Sequence, residues 1–404
     1  MAPRVATTPA IPAVRQIKNF IVRLVCTVLR IFVRGRPASL EHARFLMPAY
    51  TGLGNFILKT PMLRALHETF PHAEILVLAG NDYGTEFVLG QSGFVRESLL
   101  LRDDAPLAAR LTFFWKLRKQ RIDVLFLPFD VQPSFLWFGS LIAGIPIRVA
   151  HTWEHVDQAL GRPDRMGWTR GVPTHTIPVE QNRHEIDLNY DLLDLLVPNV
   201  RRNRETFVSM APAAETLRHF GLESGRYAVV QISVANAGPT PRRWPAEHFL
   251  ELVQRFHRAG LAVVLPGDRL EAEIIHDFAR KSGVPVLDLA ARTTVAEITA
   301  IISEAAVLVC HDSGLMHIGN AVRTPLVALF GSSDLPKVRP LAATSRVIFK
   351  NLPCAPCTGG FRMSEEEAFD ACPIRFQCMR DISVEEVWQA CREVWRMVEP
   401  EKSA

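Results

Sequence analysis

Short apolar runs recur along the chain at Arg44–Ala49, Glu74–Ala79, Ser98–Leu101, Ile122–Pro128 and Ile147–Ala150, separated by helical or irregular stretches. The alternation restarts at Tyr227–Ile232 and continues through Leu261–Pro266, Val286–Leu289, Val307–Cys310, Leu326–Phe330 and Arg346–Phe349. Runs this short without polar alternation suit strands buried in a parallel sheet, with the intervening segments as crossover helices. The pattern predicts an α/β chain of two Rossmann-like, doubly wound domains facing each other, with no close internal sequence repeat. The clearest unit is Val307–Gly331: a strand, the tight loop His311-Asp312-Ser313-Gly314, a helix ending near Arg323 and a second strand. Such a unit aims the helix N-terminus, with its free N–H groups and partial positive charge, out of the carboxyl edge of the sheet, where anions bind.

The pattern also places boundaries. Residues 1–13 are expected to be disordered, 14–36 to form a basic amphipathic helix, 40–190 a first domain, 191–225 a linker, 226–380 a second domain and 381–404 a C-terminal helix. Between His151 and Thr176 the strand pattern lapses into a long loop, and His184–Leu196 resumes with helical spacing. Asn55 or Thr60 is expected to cap the helix after the first strand, and Thr294 with Glu297 and Ser383 with Glu386 form capping boxes.

Composition changes this picture little. With 404 residues and 48% apolar content the chain can bury two cores, and a net charge of +4 is too mild to argue for nucleic acid. Charge is uneven, however: residues 1–36 hold seven Lys or Arg and no acid. Lys18, Arg23 and Arg30 break the apolar stretch Val14–Val33, so it is too interrupted to span a bilayer, which needs about 20 apolar residues. It suits either a helix lying on an anionic membrane surface or an extra helix packed on the globular body. No secretory signal is evident, and seven cysteines, an odd number, do not resemble a secreted disulfide framework, so a cytoplasmic setting is expected.

Several loops carry candidate chemistry. Gly52-Leu53-Gly54-Asn55 follows the first strand and either admits a ligand close to the backbone or is a tight βα turn. It lacks the third glycine of a dinucleotide fingerprint, and no acid stands out after the second strand, which argues against a dinucleotide oxidoreductase. Arg242 and Arg243 suit a diphosphate or a solvated turn. Glu271 suits a ribose diol or a first-turn position favoured by the helix dipole. His317, one turn into the helix after Ser313, either faces the same anion or packs in the core. Cys354-x2-Cys357-x14-Cys372-x5-Cys378 has spacings compatible with a structural zinc site, with reduced thiols or with a labile disulfide.

Three segments in order, GLGNFILKTPMLRALHETFPHAEILVL, RRWPAEHFLELV and HDSGLMHIGNAVRTPLVALFG, resemble glycosyltransferase family 9, the ADP-heptose:lipopolysaccharide heptosyltransferases and relatives. The likeness extends over about residues 44–398. It implies a GT-B architecture and inverting transfer of a sugar, a heptose in the first instance, from a nucleotide-diphosphate donor to a lipopolysaccharide-core or related glycolipid. It implies no metal at the reaction centre, and the basic N-terminal helix adds the expectation of work at the cytoplasmic face of the inner membrane. Carried over by position, Ser313, Gly314 and the backbone of Leu315 and Met316 hold the donor pyrophosphate, with Arg242 or Arg243, Glu271, Asp312 and His317 around it; Gly52 and Gly54 belong to the acceptor-side loop. The family's usual Gly-x-Gly-Asp ends here in Asn55, and an amide cannot take the acceptor's proton. Asp130, His151 and Asp82 are the substitutes, Asp130 first. The same substitution opens an alternative, a catalytically impaired sugar-nucleotide-binding protein. The helices from His184 and from Ser383 are the expected hinge of the cleft.

Overall fold

The computed structural model describes residues 24–80, 92–130, 133–153, 169, 171–234, 238, 240–358 and 365–397. The expectation of disorder for residues 1–13 and the base candidate Asp82 lie outside them.

Two parallel six-stranded sheets form the framework. The first joins β1 (Arg44–Ala49), β2 (Glu74–Ala79), β3 (Glu97–Leu100), β4 (Val124–Leu127), β5 (Ile147–Thr152) and β6 (His175–Pro178) in the order β3-β2-β1-β4-β5-β6. The second joins β7 (Tyr227–Val230), β8 (Ala262–Leu265), β9 (Leu287–Asp288), β10 (Val307–His311), β11 (Leu326–Phe330) and β12 (Ser345–Phe349) in the order β12-β11-β10-β7-β8-β9. Read from its own first strand, each sheet has the same winding, so one topology is built twice by unrelated local sequences. Strand order reverses between β1 and β4 and between β7 and β10. Ligands of open α/β sheets bind beyond the carboxyl ends at such switch points.

The strands are where the apolar runs predict them because every position of β4, β7, β10 and β11 is buried, leaving no polar face to mark alternation. The strand missing from the sequence reading is β6, four residues at the edge of the first sheet with a half-exposed pattern, registered Val149↔His175 through Thr152↔Pro178. An edge strand carrying His and Pro has little apolar signature, and its identity comes from pairing with β5.

In the first domain α1 (Leu53–Ile57) and α2 (Thr60–Thr69) follow β1, α3 (Leu107–Leu117) precedes β4, α4 (Ser134–Ile142) follows it and α5 (Glu185–Asp194) follows β6. In the second, α6 (Ala246–Arg258), α7 (Ala272–Lys281), α8 (Val295–Ser303), α9 (Gly314–Ala321) and α10 (Val384–Arg396) alternate with or follow the strands. Both capping boxes form, at Thr294 and Ser383. The expected caps Asn55 and Thr60 do not: the chain turns helical at Leu53, so Asn55 lies inside α1, and Thr60 is the first residue of α2 with its hydroxyl donating back to Ile57 O at 2.7 Å.

Helix α5 is tied to the first helices of its own domain, and the linker to both domains, by buried contacts. The Asn189 amide donates to Leu58 O (3.4 Å), Tyr190 Oη donates to Pro61 O (3.1 Å), and the linker amide of Phe207 donates to Thr60 Oγ1 (2.8 Å). Asn320 of α9 in turn donates to Thr206 Oγ1 at 3.2 Å. Of the two expected hinge elements, α5 does touch the second domain, His184 Nε2 lying 3.0 Å from Arg339 O. The final helix packs within its own domain: α10 lies on β10, β11, β12 and α6, and Trp244 Nε1 donates to Ile382 O (2.9 Å) just ahead of it. Its apolar face is spent on the core of its own domain.

Helix α4 is held against α3 at a glycine. A Cβ on Gly139 would stand 2.3 Å from the buried Phe114 ring. Gly139→Ala is therefore expected to cost about 1–3 kcal/mol by overpacking, measured by urea unfolding. Gly35→Ala, with nothing within 4 Å, should stay within about 0.5 kcal/mol of the parent.

Candidate active site

The two switch points face each other across the cleft, and the loops that leave them supply its side chains. Beyond β1 lie Gly52, Gly54 and Asn55, and beyond β4 lies Asp130; beyond β7 lies Gln231, and beyond β10 lie Asp312 and Ser313. Helix α9 meets α1 end to side. A Cβ on Gly54 would be 2.5 Å from His317 Cδ2, and one on Gly314 would be 3.6 Å from Leu53 Cβ. Gly54 thus has no side chain because the His317 ring occupies that space. Gly52, with nothing within 4 Å of its Cβ direction, stays open.

On the second-domain side the predicted group assembles. Arg242 Nη1 donates to Asp312 O at 2.6 Å and stands 3.7 Å from Asp312 Oδ2. Arg243 Nη2 donates to Gly238 O at 3.1 Å, and Glu271 offsets the burial that pulls the Arg243 pKa down. Burial, helped by Asp268, raises the Glu271 carboxyl, whose Oε2 accepts the Asp268 amide at 3.4 Å. Ser313, extended at φ −158°, precedes α9 but gives it no side-chain cap, because its Oγ donates to Gln231 Oε1 at 2.8 Å. The first N–H groups of α9, those of Gly314, Leu315 and Met316, therefore keep their donor capacity. The Met316 side chain is fully buried in the core, so only its backbone can face a ligand. Gln231 was not legible beforehand: nothing in a strand-end glutamine announces that it will divert a serine from capping.

His317 belongs to this loop but not as a cation. It is 5% exposed, and burial, with His184 adding to it, lowers its pKa to about 3. Its neutral ring packs on Gly54 and links the domains. His311 is likewise lowered to about 3 by burial and by Arg242 and Arg243, and its Nε2 accepts the Trp244 amide at 3.0 Å.

The first-domain side holds a cluster the motifs do not reveal. Lys59 is fully buried, ion-paired to Asp130 Oδ2, and its ammonium donates to Asn55 O at 3.2 Å. The Asn55 amide donates to both oxygens of Glu185 at 3.4 Å, and Glu185 Oε1 is 3.9 Å from Lys59 Nζ. From the other domain Lys337 brings its ammonium 4.0 Å above the Phe129 ring, where the carboxyls of Glu185, Asp334 and Asp130 favour its charge. Burial, then the Asp130 charge, pushes the Glu185 carboxyl up to about 8, while burial lowers Lys337. Burial and the Asp130 charge thus favour the neutral acid, whereas Lys59, Lys337 and the Asn55 amide pull toward the carboxylate. Asp130 Oδ1, also buried, has no hydrogen-bond partner among the described residues.

His151 is removed from the candidate bases. Its Nδ1 accepts the Phe129 amide (3.2 Å), its Nε2 donates to Leu188 O (3.0 Å), and burial lowers its pKa to about 3. Both nitrogens are committed to holding β5 against its neighbours.

The zinc expectation for Cys354, Cys357, Cys372 and Cys378 is not met. None of the four is in a disulfide, and among the described residues no group of three or more His, Cys, Asp or Glu could hold a metal ion. Cys378 is turned into the apolar core toward Gly331, and Cys372 Sγ accepts the Phe376 amide at 3.1 Å. The thiols lie near enough to raise Cys378 to about 11 in concert with burial, yet they do not converge.

The chain is similar to known proteins of one family. Residues 159–366 match the family model described as Glycosyltransferase family 9 (heptosyltransferase). Lipopolysaccharide heptosyltransferase 3 of Escherichia coli is 25% identical over 306 residues, 70% of this chain and 81% of that protein. Lipopolysaccharide heptosyltransferase 2 of E. coli K12 is 32% identical over 145 residues, 35% of this chain and 41% of that protein. The solved E. coli ADP-heptose lps heptosyltransferase II superposes with a TM-score of 0.66 at 23% identity, covering 88% of this chain and 100% of that one.

The buried carboxyl generates a pH test. A carboxyl whose folded pKa lies above its unfolded value binds more protons when folded, so its contribution to stability falls as pH rises from about 4.5 to about 8. Glu185→Gln keeps a neutral acceptor for the Asn55 amide and removes this titration. The unfolding free energy of the parent minus that of the variant should fall between pH 5 and 8, by at most about 1.4 kcal/mol per pH unit. A pH-independent difference would show that Glu185 is ionised throughout.

Proposed function

The chain belongs to glycosyltransferase family 9 and is a glycosyltransferase of GT-B fold, and from that premise we propose that it moves a heptose, with inversion, from ADP-heptose to a lipopolysaccharide-core or related glycolipid. The observation that carries this reading is the meeting of the two switch points: Arg242, Asp312, Ser313 and the uncapped N-terminus of α9 on one side, Asn55 and Asp130 on the other. Donor and acceptor chemistry then have separate walls.

In this reading the donor diphosphate lies at the α9 N-terminus, with the amides of Gly314, Leu315 and Met316 and the arginines Arg242 and Arg243 around it, and Glu271 addresses the ribose or sugar hydroxyls. The acceptor hydroxyl attacks the anomeric carbon from the first-domain side. A carbon–oxygen bond forms there as the bond from the anomeric carbon to the diphosphate oxygen breaks, and the electron pair leaves with ADP. The charge that develops on that oxygen falls to the arginines and the helix N-terminus, fixed dipoles that need no reorganisation. Asn55 cannot receive the hydroxyl proton. Asp130 can: Lys59 holds one carboxylate oxygen, and Oδ1 has no partner among the described residues. Asn55, between Glu185 and the cleft, then orients rather than deprotonates. A glycolipid acceptor implies work at a membrane surface, the cytoplasmic face of the inner membrane; no helix among the described residues is long and apolar enough to cross one.

Two measurements test this. ADP-heptose at 100 times its dissociation constant should raise unfolding stability by about 2.7 kcal/mol; a shift with another sugar nucleotide and none with ADP-heptose would overturn the donor. Asp130→Asn should lower kcat about 100-fold or more with donor affinity unchanged. Retained turnover in that variant, with a gain in Asn55→Asp, would return the proton to position 55.

A further inference from the structure

Large apolar side chains are exposed on two neighbouring elements of the first domain. On α3, Leu107, Leu111 and Trp115 are 70%, 46% and 56% exposed and fall on one face at intervals of four. On the N-terminal segment, helical over residues 24–29 and 3-10 over Arg30–Phe32, Leu24, Val28 and Ile31 are 56%, 55% and 75% exposed, while Cys26 on the other side is buried. Phe32 and Trp115 meet edge to face with ring centroids 6.0 Å apart, and Arg118 Nη1 donates to Phe32 O at 2.6 Å, so the two apolar faces are tied side by side. Folding buries such residues where it can; here two adjacent faces are left in solvent together.

From the start of α3 to its C-terminal end the charge has one sign. Residues 105–122 contain five Lys or Arg and no acid. Lys116, Lys119 and Arg121 are exposed at the end of α3, as is Arg30 beside Ile31. Asp103 and Asp104 precede the helix, Asp104 paired with Arg102 at 3.1 Å, and Asp123 follows it, paired with Arg34 at 3.4 Å. A protein partner with an apolar patch would need no such one-signed rim. An anionic bilayer needs both parts: side chains that enter the headgroup boundary, Trp best of all, and cations that meet its surface charge.

We propose that α3 and the segment around residues 24–32 form one docking platform for an anionic lipid bilayer, with Leu107, Leu111, Trp115 and Ile31 entering the interface and Lys116 and Lys119 meeting headgroup phosphates. The choice of a bilayer as occupant rests on the glycolipid reading above; the surface itself does not. The proposal goes beyond a basic N-terminal helix acting alone, because half of the apolar contact comes from the interior of the first domain.

The test uses the full chain and sedimentation with vesicles of phosphatidylcholine, with and without phosphatidylglycerol. The parent should bind the anionic vesicles and lose binding as salt rises. The triple change Leu107→Ser, Leu111→Ser, Trp115→Ser should lower the partition about tenfold or more, with thermal midpoint and ADP-heptose binding unchanged. Lys116→Glu with Lys119→Glu should lower it by a similar amount, which guards against a misfolded triple variant. An unchanged partition in both variants overturns the proposal. So does a parent that ignores vesicles but falls in mass when the apolar face is replaced, which would make a second copy the occupant. Intact vesicle binding with no heptose transfer would sink the transferase reading and leave the platform standing.

Discussion

The structure depends on keeping four ionisable side chains, Lys59, Asp130, Glu185 and Lys337, in one nearly dry space between the sheets. Removing an isolated charge from water costs far more than a domain's whole net stability, so each of these groups must have a partner or give up its charge. Lys59 and Asp130 take the first course as an ion pair, and burial with the Asp130 charge pushes Glu185 toward the second. The elements that carry them, the β1–α1–α2 turn, the end of β4, the start of α5 and the loop after β11, are thereby fixed relative to one another. Replacing such a cluster with apolar residues need not destabilise a protein, whereas removing one member leaves a buried charge unpaired. Its persistence in a cleft wall therefore argues for work at that wall.

That constraint also explains the unequal walls of the cleft. The second-domain wall presents backbone donors and guanidinium groups, which keep their polarity in any protonation state near neutrality, beside the carboxyls of Glu271 and Asp312. Gln231 keeps it open by engaging the Ser313 hydroxyl, so the helix terminus is left for a ligand. The first-domain wall is made from titratable groups whose charges depend on each other. A reaction that leaves negative charge on a diphosphate and releases a proton from a hydroxyl requires this division: permanent positive polarity where the charge collects and a carboxylate where the proton goes. His317 joins the walls as a neutral ring against Gly54 and so adds shape without adding charge.

Outside the cleft the same economy governs the surface. The first domain buries one face of α3 and of the N-terminal segment and leaves the other faces apolar, rimmed by cations. An enzyme whose acceptor is held in a lipid layer gains from such a face, since docking lowers the dimensionality of its search and orients the cleft.

The sequence by itself determined the architecture and the strand-loop-helix proposed to hold the donor, because both are local. A buried parallel strand is recognisable by its continuous apolar run, and a strand-loop-helix with Ser313-Gly314 at its turn carries its anion-binding geometry in the backbone of adjacent residues. Asn55 was also legible, since it stands where a carboxylate is expected. What only the tertiary structure decided are the relations between residues far apart in the chain: the pairing of Lys59 with Asp130, the approach of Glu185 and Lys337, the diversion of Ser313 by Gln231 and the seat of His317 on Gly54. The same is true of β6, which is a strand only because β5 pairs with it, and of the four cysteines, whose spacing permits a metal site that their side-chain directions do not form. Spacing along the chain limits which groups can meet, whereas burial and direction, set by contacts between both domains, decide which of them do.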